Sequence, residues 1–347
     1  MTQKKLDNLN PNGISKPNGN FFGLSTSIEE SNIIFLSVPW DVTTSYNAGT
    51  SEGPQAILEA SVQIEWEDFH LQDAWKIGHG TIPISLEIKE KNQKMRSIAK
   101  TIIDYQTYQD NPLSLALKKD LKTINQASKE LNDWVYDTTK KMLEYNKLIA
   151  LIGGDHSVPL GLIKALTEKH NNYGILHIDA HADLRQAYEG FIYSHASIMY
   201  NVLQLDSITH LVQVGIRDIC EQELEIIRND PRIIMFNDWT IKTNQYQGIS
   251  WDFQCQQIVD KLPDKVYISF DIDGLDPRFC PNTGTPVPGG LDFSQVVYLI
   301  QKVVDAGKVI IGFDLCEVAP GSDNEWDGNV GARLLYKLAN LMYLSNR

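Results

Sequence analysis

The stretch GILHIDAHAD, residues 174–183, decides the fold class of this chain. Its first half, 174–178, is a short and mostly apolar run, too short for a helix and typical of a strand that is covered on both faces. Its second half places two aspartates and a histidine directly after that strand. Strands covered on both faces belong to parallel sheets, so the stretch predicts an α/β protein with polar groups at a strand end.

Similar runs recur along the chain, and segments with helical spacing lie between them. In 124–145, for example, Ile124, Ala127 and Leu131 fall on one apolar stripe. The alternation of strand and helix predicts a three-layer α/β/α architecture with a mostly parallel sheet and right-handed crossovers. The other predicted strands are Ile33–Val38, 148–152, 211–214, 232–235, 266–270 and 309–313.

Neither a fixed-period repeat nor a Gly/Ser-rich or Pro-rich linker divides the sequence. We therefore interpret 1–347 as a single domain. Residues 1–30 are expected to be an N-terminal extension. The more polar and less periodic segment at about 86–123 is expected to be an insertion or a cap.

Composition narrows the classes of function. The chain has 347 residues, of which 42% are hydrophobic and 22% charged, as is usual for a globular protein. The net charge of −13 disfavours a nucleic-acid partner and fits a cationic substrate. Because the sequence lacks a long apolar run, we expect a cytoplasmic protein without a membrane partner. Its four cysteines have no C-x-x-C pairing and are expected to be free thiols.

Three polar clusters each follow a predicted strand. GGDHS at 153–157 follows 148–152, DAHAD at 179–183 follows 174–178, and DIDGLDP at 271–277 follows 266–270. Parallel sheets gather their ligand sites at the carboxyl ends of the strands, so all three clusters should meet at one edge.

Spacing indicates which of these side chains converge. Residues at i and i+2 leave a strand on the same side. That spacing groups the acids and histidine of the second cluster with two aspartates of the third, and His156 joins them. Four close carboxylates in a poorly solvated cleft need a comparable positive charge, which two divalent cations provide. The predicted ligands are His156, Asp179, His181, Asp183, Asp271 and Asp273.

Oxygen and nitrogen ligands without a thiolate favour two Mn²⁺ ions, with Ni²⁺, Co²⁺, Fe²⁺ or Zn²⁺ as alternatives. A water that bridges two such ions loses a proton near neutral pH and becomes a nucleophile. The predicted reaction class is metal-assisted hydrolysis. Taken singly, each cluster has a structural alternative, since Asp-x-His-x-Asp can be a solvated turn and His156 a core histidine.

These clusters resemble the three signatures of the arginase/agmatinase (ureohydrolase) family. The resemblance extends to VPWD at 38–41, GTSEGPQAI at 49–57, GTPVPGG at 284–290 and Glu317. It covers the chain apart from the first thirty residues and the segment at about 86–123. It implies an arginase-like fold and hydrolysis of a guanidino C–N bond by a hydroxide that bridges two manganese ions.

The resemblance also implies a role for each matched position. Asp179 and Asp271 are expected to bridge the two ions, and Asp183 to align the hydroxide and move a proton. Glu317 is expected to pair with the substrate guanidinium. His195, in YSH at 193–195, is expected to be the general acid or proton shuttle, with a locally packed histidine as the alternative. One ion is assigned to His156, Asp179, Asp183 and Asp271, and the other to Asp179, His181, Asp271 and Asp273.

Two departures from the family pattern affect the expected substrate. Arg185 stands where arginases carry an Asn that contacts the amino-acid carboxylate, which makes free arginine a less favoured substrate. Arg185 is expected either to meet a carboxylate on another substrate or to pair with an acid such as Glu189 or Asp218. ASIMYN at 196–201 differs from the usual Gly-Thr-Pro-Phe of agmatinases, so the pocket lining is expected to differ.

The leading prediction is hydrolysis of agmatine to putrescine and urea, favoured by the YSH stretch. The alternatives are guanidinobutyrate, guanidine, arginine or formiminoglutamate as substrate, or a catalytically silent relative that binds a metabolite. The resemblance further implies a homo-oligomer, either a trimer or a hexamer.

Overall fold

The computed structural model describes residues 9–322 and 325–347. The first eight residues of the predicted N-terminal extension therefore lie outside the described part. Eight strands lie within the described ranges. They are β1 (Ile33–Val38), β2 (His79–Ile82), β3 (Leu148–Gly153), β4 (Tyr173–Ile178), β5 (Ile208–Val214), β6 (Ile233–Phe236), β7 (Lys265–Asp271) and β8 (Val309–Cys316).

The strands form one sheet in the order β2-β1-β3-β8-β7-β4-β5-β6. Each neighbouring pair is parallel, which confirms the predicted sheet type. The centre of the sheet is made of β3, β8, β7 and β4, and these are the strands that precede the three polar clusters and Glu317.

Helices connect the strands and cover both faces of the sheet. They are α1 (Gly53–Ser61), α2 (Leu86–Tyr108), α3 (Leu115–Glu144), α4 (Leu160–Lys169), α5 (Ile198–Val202), α6 (Glu221–Asn229), α7 (Asp238–Tyr246), α8 (Trp251–Val259), α9 (Phe293–Asp305) and α10 (Trp326–Ser345). Most buried apolar residues of α1, α9 and α10 belong to one hydrophobic cluster, and most of those of α2, α3 and α4 belong to a second.

Strand alternation divides the core between these two clusters. In β1, Ile33 and Phe35 belong to the first cluster, whereas Ile34 and Leu36 belong to the second. Every residue of β1 is buried. The sheet is therefore covered on both faces, and the predicted three-layer α/β/α fold is confirmed.

The segment at about 86–123 consists of α2 and the first part of α3. Ser85 and Ser114 begin these helices, since each Oγ accepts a hydrogen bond from a backbone N–H of the first turn. Ile88, Met95 and Ile102 of α2 are buried in the second cluster. Among the helices of the described residues, none is long and apolar enough to cross a membrane.

Candidate metal centre

The candidate centre lies at the carboxyl edge of the four central strands. The loop after β3 carries His156, the loop after β4 carries Asp179, β7 ends at Asp271, and Glu317 follows β8. Neighbouring parallel strands end at the same edge of the sheet, so residues far apart in the sequence become adjacent.

His156 faces three of the predicted carboxylates with one ring nitrogen. Its Nδ1 lies 3.1 Å from Asp179 Oδ2, 3.3 Å from Asp183 Oδ2 and 3.4 Å from Asp271 Oδ2. All four side chains are buried. This is the set of residues that the resemblance assigned to one ion, and the structure brings it together.

His181 lies beside the other group of acids. Its Nδ1 is 3.1 Å from Asp273 Oδ2 and 3.5 Å from Asp179 Oδ1. The ligand atoms of Asp179, His181 and Asp273 all lie within 4.8 Å of one another. Asp271 adjoins this group through its Oδ1, which accepts a hydrogen bond from Asp273 N at 2.8 Å.

The backbone that carries these side chains does not have the extended strand conformation expected from the i, i+2 spacing. β4 ends at Ile178, and Asp183 has a left-handed φ of 54°. Asp273 belongs to a 3₁₀ turn over Ile272–Gly274 rather than to β7. The side chains converge because tight turns follow the strands, so the expected grouping is present but its geometric cause was wrong.

His177 is a supporting residue that the sequence analysis missed. It is fully buried in β4, and its Nε2 lies 2.8 Å from Asp179 Oδ2. The Gln213 amide nitrogen lies 3.0 Å from Nδ1, so Nδ1 accepts and Nε2 donates to Asp179. Both nitrogens are engaged. His177 therefore orients Asp179, although its atoms lie close enough to the cluster to hold an ion themselves.

Asp314 supports the opposite side of His156. His156 Nε2 lies 2.8 Å from Ser269 Oγ, and Ser269 in turn donates to Asp314 Oδ2 at 2.9 Å. Asp314 also accepts hydrogen bonds from the Tyr267 hydroxyl and from Phe270 N. This chain of contacts fixes the ring of His156 so that Nδ1 faces the carboxylates. The sequence offered one sign of this role, namely that Asp314 is an acid within the otherwise apolar run of β8.

The electrostatics of the centre favour a cation. Burial, together with the charge of Asp179, raises the pKa of Asp183 to about 6. Burial and the charges of Asp273 and Asp179 raise the pKa of Asp271 well above its ordinary value. Buried carboxylates whose ionised forms are disfavoured are stabilised by divalent ions. The oxygen and imidazole donors present here fit the predicted pair of ions.

Glu317 is buried beside this group, and only one of its two carboxylate oxygens has a hydrogen-bond partner among the described residues. Its Oε1 accepts a hydrogen bond from His156 N at 2.9 Å. Within the described part of the chain, its Oε2 is buried without a hydrogen-bond partner. A Cβ atom at Gly284 would lie 3.3 Å from this oxygen, so the glycine leaves space there. Burial and the nearby charge of Asp155 raise the pKa of Glu317 well above its ordinary value.

A cavity of about 290 Å³ opens next to the centre. His181, Asp183 and His195 are among its lining residues. His195 Nδ1 lies 3.8 Å from Glu317 Oε1, and burial lowers the pKa of His195 to about 3. The ring is therefore neutral at neutral pH, a state in which it can accept one proton and donate another.

Arg185 also lines the cavity. Its guanidinium lies over the Tyr188 ring at 4.7 Å, and its Nε is 4.0 Å from Glu223 Oε2. Of the two predicted environments, the structure places Arg185 next to an acid, but the acid is Glu223 rather than Glu189 or Asp218.

Comparison with known proteins identifies the family. A sequence model described as Arginase family matches residues 31–340. The chain belongs to the arginase family. It is 31% identical over 292 residues to an N(1)-aminopropylagmatine ureohydrolase of Thermus thermophilus, covering 84% of each chain. It is 29% identical to an agmatinase of Klebsiella pneumoniae, covering 84% of this chain and 80% of that one.

The fold of this arginase-family protein is shared with solved structures. The agmatine ureohydrolase of Thermoplasma volcanium matches with a TM-score of 0.70 and 23% identity, covering 94% of this chain and 95% of that one. The family membership and the arginase-like α/β fold predicted from the sequence are thus confirmed. This chain is an arginase-family hydrolase that acts on amidines, and its buried His/Asp cluster fits a metal site.

Proposed function

We propose that this protein hydrolyses the guanidino C–N bond of a small cationic guanidine, with agmatine as the leading substrate and putrescine and urea as products. The proposal assigns the metal pair, manganese as the leading ion, to His156, Asp179, His181, Asp183, Asp271 and Asp273. It assigns the substrate guanidinium to Glu317 and proton transfer to Asp183 and His195.

The observation that carries the proposal is the unpaired Oε2 of Glu317. A carboxylate oxygen that is buried without a partner is costly unless a donor reaches it. Its other oxygen is already fixed by His156 N, so the carboxylate cannot rotate freely away from the centre. A guanidinium presents planar N–H donors and a positive charge, which suit a carboxylate in this position.

Two divalent ions held by these side chains would supply the positive charge that the aspartates require and a hydroxide at neutral pH. Glu317 holds the guanidinium so that its carbon faces the cluster. With the ions bound, hydroxide would add to that carbon, and Asp183 would accept the proton of the added hydroxyl group. The C–N bond would then break with its electron pair on nitrogen, and His195 would deliver a proton to the leaving amine and take up in exchange the proton that Asp183 had accepted.

The mouth of the cavity favours a cationic tail over an acidic one. The charge of Arg185 is partly offset by Glu223, 4.0 Å away, and its face is covered by Tyr188. The carboxylate of Asp218 is exposed and lines the same cavity. This arrangement supports agmatine rather than guanidinobutyrate or formiminoglutamate.

A longer guanidino polyamine is the second candidate. Relatives at 31% and 30% identity are named N(1)-aminopropylagmatine ureohydrolase. Asp218 lines the cavity and is itself exposed, so an additional aminopropyl group could extend past it toward solvent.

A substrate panel tests the proposal. Manganese-loaded protein is incubated with agmatine, N(1)-aminopropylagmatine, guanidinobutyrate, arginine, guanidine and formiminoglutamate, and urea and formamide are measured. We expect urea from agmatine or its aminopropyl derivative at the highest kcat/KM. The Glu317→Gln variant, which keeps the shape but loses the charge, should lose about 10-fold to 100-fold in kcat/KM while retaining metal. Absence of product from every compound would refute the proposal.

A further inference from the structure

The loop between β1 and α1 brings a hydroxyl group against the proton-transferring histidine. Ser45 lines the same cavity as His181, Asp183 and His195. Its Oγ lies 3.3 Å from His195 Nε2. We propose that Ser45 is a positioning residue for His195, and that α2 holds the loop that carries it. The inference rests on the proposed function, because it concerns the same proton transfer.

The surroundings of the imidazole indicate which nitrogen carries the proton. Nδ1 faces Glu317 Oε1, an oxygen that already accepts a hydrogen bond from His156 N. A hydrogen on Nδ1 is attracted to that oxygen, whereas a lone pair there would be repelled. Nε2 is then the acceptor, and the Ser45 hydroxyl is the donor placed against it. Ser45 thus selects the Nδ1–H form and the rotation of the ring.

The backbone of His195 is held by the same loop. Thr43 Oγ1 accepts a hydrogen bond from His195 N at 3.1 Å and donates one to the buried Asp155 Oδ2 at 3.2 Å. Ser45 therefore contacts the His195 ring, and Thr43 contacts the His195 backbone. A shift of this loop would move His195 relative to the centre.

Two side chains of α2 fix the loop from the other side. Asn92 donates to Asp41 Oδ1 at 3.0 Å and accepts from Asp41 N at 2.8 Å. Arg96 Nη1 donates to Thr44 O at 2.5 Å and to Val42 O at 3.1 Å. These bonds restrain the residues directly before Ser45. The segment at about 86–123, which was expected to be an insertion or a cap, therefore acts on His195 through this loop.

Positioning of His195 matters for one step in particular. When the tetrahedral intermediate collapses, the electron pair of the breaking C–N bond moves to the leaving nitrogen. His195 gives a proton to that nitrogen and takes up in exchange the proton that Asp183, which lines the same cavity, had accepted, so that the amine and urea leave and both side chains return to their starting states. A misplaced ring slows this protonation without weakening the contact between Glu317 and the guanidinium. The loss should therefore appear in kcat rather than in KM.

The Ser45→Ala variant tests the proposal through the basicity of the leaving group. With agmatine, kcat should fall about 10-fold or more while KM changes by less than about twofold. The second substrate is an agmatine analogue with oxygen in place of the methylene next to the guanidine. Its leaving alkoxyamine is far less basic and needs less help from an acid. The defect of Ser45→Ala should nearly vanish with this analogue.

Matched variants separate positioning from folding. Ser45→Thr keeps a hydroxyl and should keep most of kcat, whereas Ser51→Ala removes a hydroxyl from the same loop and should behave as the parent. Arg96→Met should reproduce the leaving-group-dependent loss. Metal content is measured in each variant. An unchanged kcat in Ser45→Ala, or an equal loss with both substrates at full metal content, would overturn the proposal.

A spectroscopic measurement makes the test independent of turnover. Zinc-loaded protein with ¹⁵N-labelled histidine is compared by NMR with Ser45→Ala, and His195→Gln identifies the His195 signals. We expect the Nδ1–H form in the parent and a mixture of forms in Ser45→Ala. An Nε2–H ring in the parent, or an identical spectrum in the variant, would refute the positioning role whether or not any guanidine is hydrolysed. A parent that hydrolyses no guanidine refutes the proposed function separately.

Discussion

His177 holds the side chain of a predicted metal ligand, Asp179, in place. With Nδ1 engaged by Gln213, its Nε2–H points at Asp179 Oδ2, the oxygen that also faces His156 Nδ1. Partners of this kind fix the orientation of a ligand and raise its basicity. The effect of His177 should therefore be visible in metal affinity.

We expect His177→Ala to weaken manganese binding about 10-fold to 100-fold, because Asp179 loses its orienting donor. Titration calorimetry on the metal-free protein measures the effect. His210→Ala, which changes a half-buried histidine of β5 that contacts Thr209, is the control and should bind as the parent does. An unchanged affinity in His177→Ala would contradict the assigned role.

The raised pKa of Asp183 predicts a pH dependence of metal binding. In the metal-free protein this carboxyl retains its proton up to a pH of about 6, whereas a bound ion requires the ionised form. Binding therefore releases a proton below that pH, and affinity should fall as the pH is lowered through about 6. Calorimetry in buffers with different ionisation enthalpies measures the released protons. A constant affinity between pH 5 and pH 7 would contradict this prediction.

Among the individual site residues, those that follow a strand could be predicted from the sequence more readily than those inside a strand. Asp179, Asp271 and His156 could be placed together because the ends of parallel strands coincide. The left-handed Asp183 and the 3₁₀ turn at Asp273 could not be anticipated, since they depend on local turns. His177 was missed because a single polar residue within an apolar run resembles any other buried strand residue.

Strand β8 contributes to the centre through a residue in its interior. Asp314 accepts hydrogen bonds from Tyr267, Ser269 and Phe270 of the neighbouring β7, and all of these groups are buried. The two strands are thus joined by side-chain bonds as well as by their backbones. The same bonds support His156 through Ser269.

Asp314→Ala should destabilise the metal-free protein by about 3 kcal/mol, because two hydroxyl groups are left buried without an acceptor. Urea unfolding of the metal-free protein measures the change. Asp260→Ala, at the exposed end of α8, serves as the control and should alter stability by less than about 0.5 kcal/mol. A similar small change in Asp314→Ala would count against the role of this network.

The strands could be predicted from the sequence more completely than the helices. The seven apolar runs corresponded to strands, although the edge strand β2 was missed because His79-Gly80-Thr81-Ile82 is short and contains glycine. Helix α3 begins nine residues before the predicted start at 124, and α2 was not predicted as a helix. Polar surface residues conceal the apolar face that Ile88, Met95 and Ile102 bury.

For the whole molecule, a metal pair at the candidate centre would couple metal binding to folding. The predicted ligands come from the ends of three strands and from the turns that follow them, so they are close together only in the folded chain.

We therefore expect manganese to raise the thermal unfolding temperature of the metal-free protein and a chelator to reverse the increase. An ion at about a thousandfold excess over its Kd stabilises the folded state by about 4 kcal/mol. Differential scanning calorimetry measures the shift, with Mg²⁺, which prefers sites rich in water ligands, as the comparison. An unfolding temperature that is independent of manganese would contradict the expected coupling. The predicted trimer or hexamer remains a prediction that analytical ultracentrifugation can test.

The most direct test of the central claim is anomalous X-ray diffraction at the manganese edge from crystals of the reconstituted protein. We expect two peaks per chain, one beside His156 Nδ1 and one beside His181 Nδ1, with Asp179 between them. A single peak away from these six side chains, or no peak at full manganese exposure, would contradict it.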